Sequence, residues 1–153
     1  MQDLHLELPD EPFENTYFKR ATAKIIRAPG RVNLIGEHTD YNGLPVLPIA
    51  IDREIKMEII KRDDPLITLV NKNFKFDRRI FSVDIKDGER IPLYEIGDWG
   101  NYVKAGLQGV IDEFRRRGFN NITWNGFSAL VSGDIPIASG LSSSSALVVA
   151  SAL

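Results

Sequence analysis

The chain has 153 residues, 43% of them hydrophobic and 26% charged, enough apolar surface for one globular core. Its 19 Lys and Arg against 21 Asp and Glu leave a formal charge of -2, so no whole-chain field draws it to nucleic acid or to an anionic membrane, and any anion site is local. The absence of cysteine excludes a disulfide framework and thiolate metal sites and fits a reducing cytoplasm.

The N-terminal stretch MQDLHLELPDEPFEN is acidic and lacks the basic start and apolar run of a secretory signal. Residues 1–20 read as an extension whose Phe13, Tyr17 and Phe18 are candidate anchors. No stretch approaches the ~18 apolar residues that span a bilayer. From Lys24 a short β-branched run predicts a strand, Pro29-Gly30 a turn, and the polar cluster of Arg31, Glu37, His38 and Asp40 a loop. Beyond the Asn42-Gly43 turn, LPVLPIAID and EIKMEIIKR predict two strands in succession, the second alternating Ile55, Met57 and Ile59 with charged partners. LITLVN and RIFSVDI predict two more, joined through NKNFKFDRR.

After Asp87-Gly88 the period lengthens. In DWGNYVKAGLQGVIDEFRRRG the apolar positions Val103, Leu107, Val110, Ile111 and Phe114 recur at helical spacing, three arginines close the last turn and Gly118 follows as a C-cap. Phe127–Ser132 predicts a further strand. It leads into IPIASGLSSSSALVVASAL, where small residues precede an apolar, alanine-rich run. Gly140 can take a positive φ at no steric cost, and a helix beginning near Ser143 presents N–H groups with no partner inside it. This stretch reads either as an anion-binding loop or as a Ser-rich turn with an ordinary N-cap. It has no Gly-Lys-Ser/Thr, and the chain does not alternate strand and helix, so a Walker-type domain is excluded. With strands outnumbering helices, the class is α+β: a mixed, mostly antiparallel sheet covered by helices. The helical pattern still runs at Leu153, and the chain reads as cut there.

In GRVNLIGEHTDY, residues 30–41, one guanidinium, two carboxylates and an imidazole gather around Val32, Leu34 and Ile35. Compact mixed donors and acceptors suit a hydroxyl-rich ligand such as a carbohydrate, whose buried OH groups must be paired. Read alone, the same residues serve equally as turn and surface-pair chemistry. Glu37, His38 and Asp40 lack the spacing and further ligand of a zinc site.

The stretch resembles, position by position, the galactokinase signature G-R-x-N-x-I-G-E-H-x-D-Y, and IPIASGLSSSSA resembles the ATP-binding motif P-x-x-x-G-L-S/G-S-S of the GHMP kinases. WGNYVKAGLQGV, residues 99–110, is similar to the W-x-N-Y-V-K-G helix start found between those motifs. The resemblance implies the N-terminal lobe of the GHMP kinase fold, ribosomal protein S5 domain 2-like, over residues 1–153, with the sugar signature at 27–52 and the phosphate loop and its helix at 133–153. It implies galactose or a related hexose as substrate, ATP and Mg²⁺ as cofactors, and a C-terminal lobe that this chain does not contain. By resemblance, Arg31 lies beside the anomeric hydroxyl and the γ-phosphate, and Glu37, His38 and Asp40 contact sugar hydroxyls. Ser139, Gly140, Leu141, Ser142, Ser143, Ser144 and Ser145 wrap the phosphates, with the Ser144 hydroxyl on Mg²⁺. Trp99 borders the adenine in that reading, whereas the helix pattern alone reads it as core. The Asp that assists the proton lies C-terminal to the Ser-rich loop in the family. An N-acetylgalactosamine kinase and a catalytically silent sugar and ATP sensor would carry the same motifs.

Overall fold

In a computed structural model describing residues 23–36, 40–86, 88–120, 122–136 and 140–153, the alternating apolar segments pair into one sheet. The strands are β1 (Lys24–Ile35), β2 (Leu47–Lys61), β3 (Leu66–Asn71), β4 (Arg79–Ser82) and β5 (Phe127–Gly133), in the order β1-β2-β5-β3-β4. The β1–β2, β2–β5 and β3–β4 pairs are antiparallel and β3–β5 is parallel, as expected of a mixed, mostly antiparallel sheet. Two of the strands run differently from their local signals. The Pro29-Gly30 break is no turn, because β1 passes straight through it, and the two strands expected over residues 44–52 and 54–62 are one strand of 15 residues. Both breaks instead meet at one irregularity, where the register steps from Pro29 opposite Glu54 to Arg31 opposite Ala50. RIFSVDI shortens to Arg79–Ser82.

Period-2 alternation puts Ala28, Met57, Leu69, Ala129 and Val131 into the core. Helices α1 (Gly100–Arg116) and α2 (Ser143–Ala152) supply Val103, Ile111, Ala146, Leu147 and Ala150 to the same cluster. α2 lies on β1 and β2, with the Ser151 hydroxyl donating to the Leu147 carbonyl at 2.6 Å and lying 4.0 Å from the Met57 sulfur. α1 comes so close to α2 that a β-carbon on Gly106 would stand 2.5 Å from the Val148 carbonyl oxygen. Only a residue without one fits there. No helix among the described residues is long and apolar enough to cross a membrane.

The WGNYVK stretch fastens the connection between β4 and α1 to the helix. The Trp99 indole N–H donates to the Asp77 carbonyl at 2.9 Å, and Asn101 accepts from the Tyr94 N–H at 2.8 Å while donating to the Glu95 carbonyl at 2.9 Å. Asp98 receives the Gly100 N–H at the start of α1 and is paired with Arg79 at 2.7 Å. The structure gives Trp99 the core position that the helix pattern expects, 7% exposed and packed at a tilt on Phe76.

Lys104 is buried among these groups. Its ammonium donates to the Pro92 carbonyl at 2.6 Å and sits 3.2 Å from the centre of the Tyr94 ring. Burial pushes its pKa down to about 8, against the upward pull of Asp98. A base with a depressed folded pKa is neutral in the native state while still protonated in the unfolded chain, between about pH 8 and its ordinary value near 10.4. The unfolded chain then binds more protons, so stability from this group increases as pH rises through that window, by up to about 1.4 kcal/mol per pH unit. Urea unfolding at pH 7.5 and 9.5 measures it. The increment should vanish in Lys104→Met, and an equal increment in that variant would assign it to other groups.

Candidate functional site

The two motifs meet at the irregularity between β1 and β2. Because the register steps there, Ile51, Asp52 and Arg53 lie opposite Gly30 alone. A β-carbon on Gly30 would come 3.0 Å from Ile51 Cδ1 and 3.1 Å from Ile135 Cδ1, so the start of the Ser-rich segment packs closely on the sugar-signature strand at this glycine. One residue on, the Arg31 N–H donates to the Leu141 carbonyl at 3.3 Å. β1 is an edge strand, and this bond caps part of its free edge with the second motif.

Asp134 fixes the entry to the loop. Its carboxylate accepts the Glu54 N–H at 2.7 Å and the Arg53 guanidinium at 3.2 Å, while its own N–H donates to the Glu54 carbonyl at 3.2 Å. The Glu54 amide, with Arg53 behind it, holds the Asp134 carboxyl below the usual carboxylate range. Sequence reasoning passed over this residue. The signal was the Gly133-Asp134 pair just ahead of the motif, a turn dipeptide whose carboxylate can satisfy backbone N–H groups.

Within the loop Gly140 takes φ 74°, and Ser142, the N-cap of α2, takes φ 61°, the one positive φ of a non-glycine among the described residues. Left-handed serine is strained by about 1–2 kcal/mol, and such strain gathers at ligand sites. The Ser142 side chain makes no capping bond. The first helical bond runs from the Ala146 N–H to the Ser142 carbonyl at 2.9 Å, so the N–H groups of Ser143, Ser144 and Ser145 lack intrahelical acceptors. No acidic residue stands in the first turn of α2, and among the described residues nothing lies within 4 Å of a β-carbon built on Gly140. A helix start with free amides, the positive end of the dipole and open space before it suits an anion.

Arg31 is exposed, and among the described residues its guanidinium has no ion-pair partner, whereas Arg27 is held by Glu54 at 2.8 Å and Arg53 by Asp134 at 3.2 Å. Asp40 begins a short 3₁₀ turn, Asp40–Asn42, closed by Gly43 at φ 73°. Glu37, His38 and Ser139, and the N-terminal extension of residues 1–20, lie outside the described residues. The geometry therefore brings the Arg31 backbone onto Leu141, inside the Ser-rich segment, and leaves Trp99 in the core.

The Ser-rich loop launched from the mixed sheet into α2, with α1 packed on α2, lies in the stretch, residues 101–153, that matches the GHMP kinases N terminal domain. The galactokinase galactose-binding signature matches residues 11–59. The chain belongs to the GHMP kinase family, and the members it resembles are galactokinases. It is 40% identical over 144 residues to a galactokinase of Clostridium acetobutylicum, covering 94% of this chain and 34% of that protein. With a galactokinase of Saccharomyces cerevisiae it shares 38% over 135 residues, 84% of this chain and 25% of the relative. Among solved structures, Lactococcus lactis galactokinase complexed with galactose superimposes with a TM-score of 0.61 at 39% identity, over 82% of this chain and 30% of that one. The chain thus spans a quarter to a third of the length of the curated relatives.

Proposed function

We propose that this chain forms the N-terminal lobe of a galactokinase, which moves the γ-phosphoryl group of ATP to the C1 hydroxyl of α-D-galactose. The observation that carries the reading is the Arg31 N–H to Leu141 carbonyl bond, 3.3 Å long, which seats the sugar signature against the loop at the start of α2. Galactose is supported by the matched signature and by the bound sugar named for the Lactococcus relative.

In this reading the N–H groups of Ser143, Ser144 and Ser145, with the backbone around Gly140 and Ser142, hold the triphosphate, and Ser139 and Leu141 complete the wrap. The free amides and the absence of acid in the first turn fit that anion. Mg²⁺, a hard cation that takes oxygen ligands, neutralises phosphate charge when bound, and the Ser144 hydroxyl in the same turn is the side chain that would hold it. Glu37, His38 and Asp40 orient the sugar by pairing its hydroxyls. Arg31 lies against both, where a guanidinium stabilises the developing alkoxide and the charge on the transferring phosphoryl group. The carboxylate that takes the proton belongs to the further length that relatives possess, together with the lobe that closes the site. Residues 1–153 on their own therefore transfer little or no phosphate. A cysteine-free chain acting on ATP suits the cytoplasm.

The test is ADP release by the intact protein with galactose and ATP, with the product identified by ³¹P NMR as a sugar 1-phosphate. Turnover of N-acetylgalactosamine in preference to galactose would reassign the substrate. Tight binding of galactose and ATP without turnover would make the protein a sensor.

A further inference from the structure

Resting on the role just given to Arg31, we infer that Asn33 is a positioning residue that holds the Arg31 guanidinium for the reaction through its side-chain oxygen. Among the described residues, Asn33 Oδ1 is the buried side-chain atom that no donor reaches. Leaving such an acceptor unpaired disfavours the fold, and native chains do so at few places.

Its surroundings explain why the strand itself cannot satisfy it. Asn33 stands opposite Pro48 in the β1–β2 register, and proline has no N–H to give. Beyond Asn33 the register slips again before Ile35. The complementary group is close. Arg31 lies two residues back, and alternation puts the two side chains on the same face of β1, about 7 Å apart at their origins, within reach of an arginine. Arg31 is the strand's arginine with five N–H donors and, among the described residues, no acceptor, since Arg27 on that face is already held by Glu54. A donor fork without an acceptor and a buried acceptor without a donor thus stand side by side in one signature. The carboxamide's terminal torsion is soft and turns the oxygen toward the fork at small cost. Once paired, Arg31 loses the rotamer freedom that would otherwise be lost during phosphoryl transfer.

The experiment is a double-mutant cycle in the intact protein, read as kcat, KM for galactose and melting temperature. Asn33→Leu, close in volume and without an acceptor, should lower kcat about tenfold with KM and melting temperature little changed. Asn33→Asp, which keeps an oxygen toward the guanidinium, should recover most of kcat. In an Arg31→Ala background, Asn33→Leu should have no further effect on kcat, because the group it holds is absent. A full tenfold loss in that background, or no rescue by Asn33→Asp, overturns the assignment to Asn33 alone. An Arg31→Ala variant as active as wild type overturns the role of Arg31 and this inference with it.

Discussion

Arg31→Ala should lower kcat of the intact protein by about 10²–10³ while leaving its melting temperature within about 2 °C of wild type. The two halves of this expectation have separate causes. Removing one donor aimed at charge that develops in a transition state costs about 10²–10³ in rate. The fold loses almost nothing, because the side chain is exposed and unpaired among the described residues, and the bond that Arg31 gives to the Ser-rich loop comes from its backbone, which alanine keeps. Exposed substitutions away from caps and networks stay within about 0.5 kcal/mol. Arg31→Lys should recover only part of the rate, since an ammonium is a point charge without the planar fork. Steady-state kinetics beside thermal melts decide the matter. A fall in both together, or no fall in kcat, would take the guanidinium out of the chemistry and leave residue 31 a backbone contact.

What could be read in advance follows the range of the forces involved. α1 was legible because its stripe of Val103, Leu107, Ile111 and Phe114, its basic last turn and Gly118 are all local, and Gly118 indeed takes φ 87°. The start of α2 at Ser143 and the left-handed Gly140 were legible for the same reason. β2 was not, because Arg53 and Glu54 interrupt its alternation, and only the pairing with β1 shows that the interruption is a register step facing Gly30. For Trp99 the resemblance implied an adenine neighbour and the helix pattern a core position, and the core position is the one the structure shows, through contacts no local pattern displays. The indole's partner, the Asp77 carbonyl, is 22 residues away, and its burial depends on Phe76. Both motifs were visible as strings, but the contacts between them, Gly30 on Ile135 and Arg31 on Leu141, span more than a hundred residues and exist only once β1 is an edge strand beside α2. The proximity of Asn33 to Arg31 was present in the spacing all along. What was missing was the knowledge that its oxygen is buried and that Pro48 faces it.

The largest effect on the fold should come from a glycine far from both motifs. Gly126→Ala is expected to cost about 3 kcal/mol or more, because a β-carbon there would overlap the carbonyl group of Leu66, a backbone atom pair that cannot swing aside. Gly126 also donates its N–H to the Asp64 carbonyl at 2.6 Å and accepts the Arg62 N–H at 3.0 Å, so it ties the turn between β2 and β3 to the start of β5. Displacing it pushes β5 from between its two neighbours, and β5 runs through Gly133 into Asp134 and the Ser-rich loop. Activity should therefore fall with stability. At about 2–4 °C per kcal/mol for a domain of this size, the melting temperature drops by about 10 °C. Gly109→Ala provides the contrast: it sits inside α1 with nothing among the described residues within 4 Å of a new β-carbon, and alanine there should stabilise by up to about 1 kcal/mol. Urea unfolding of the two variants reads the difference directly. Equal stability would mean that β5 does not meet Leu66 in this register, and the path from the sheet to the phosphate loop would have to be redrawn.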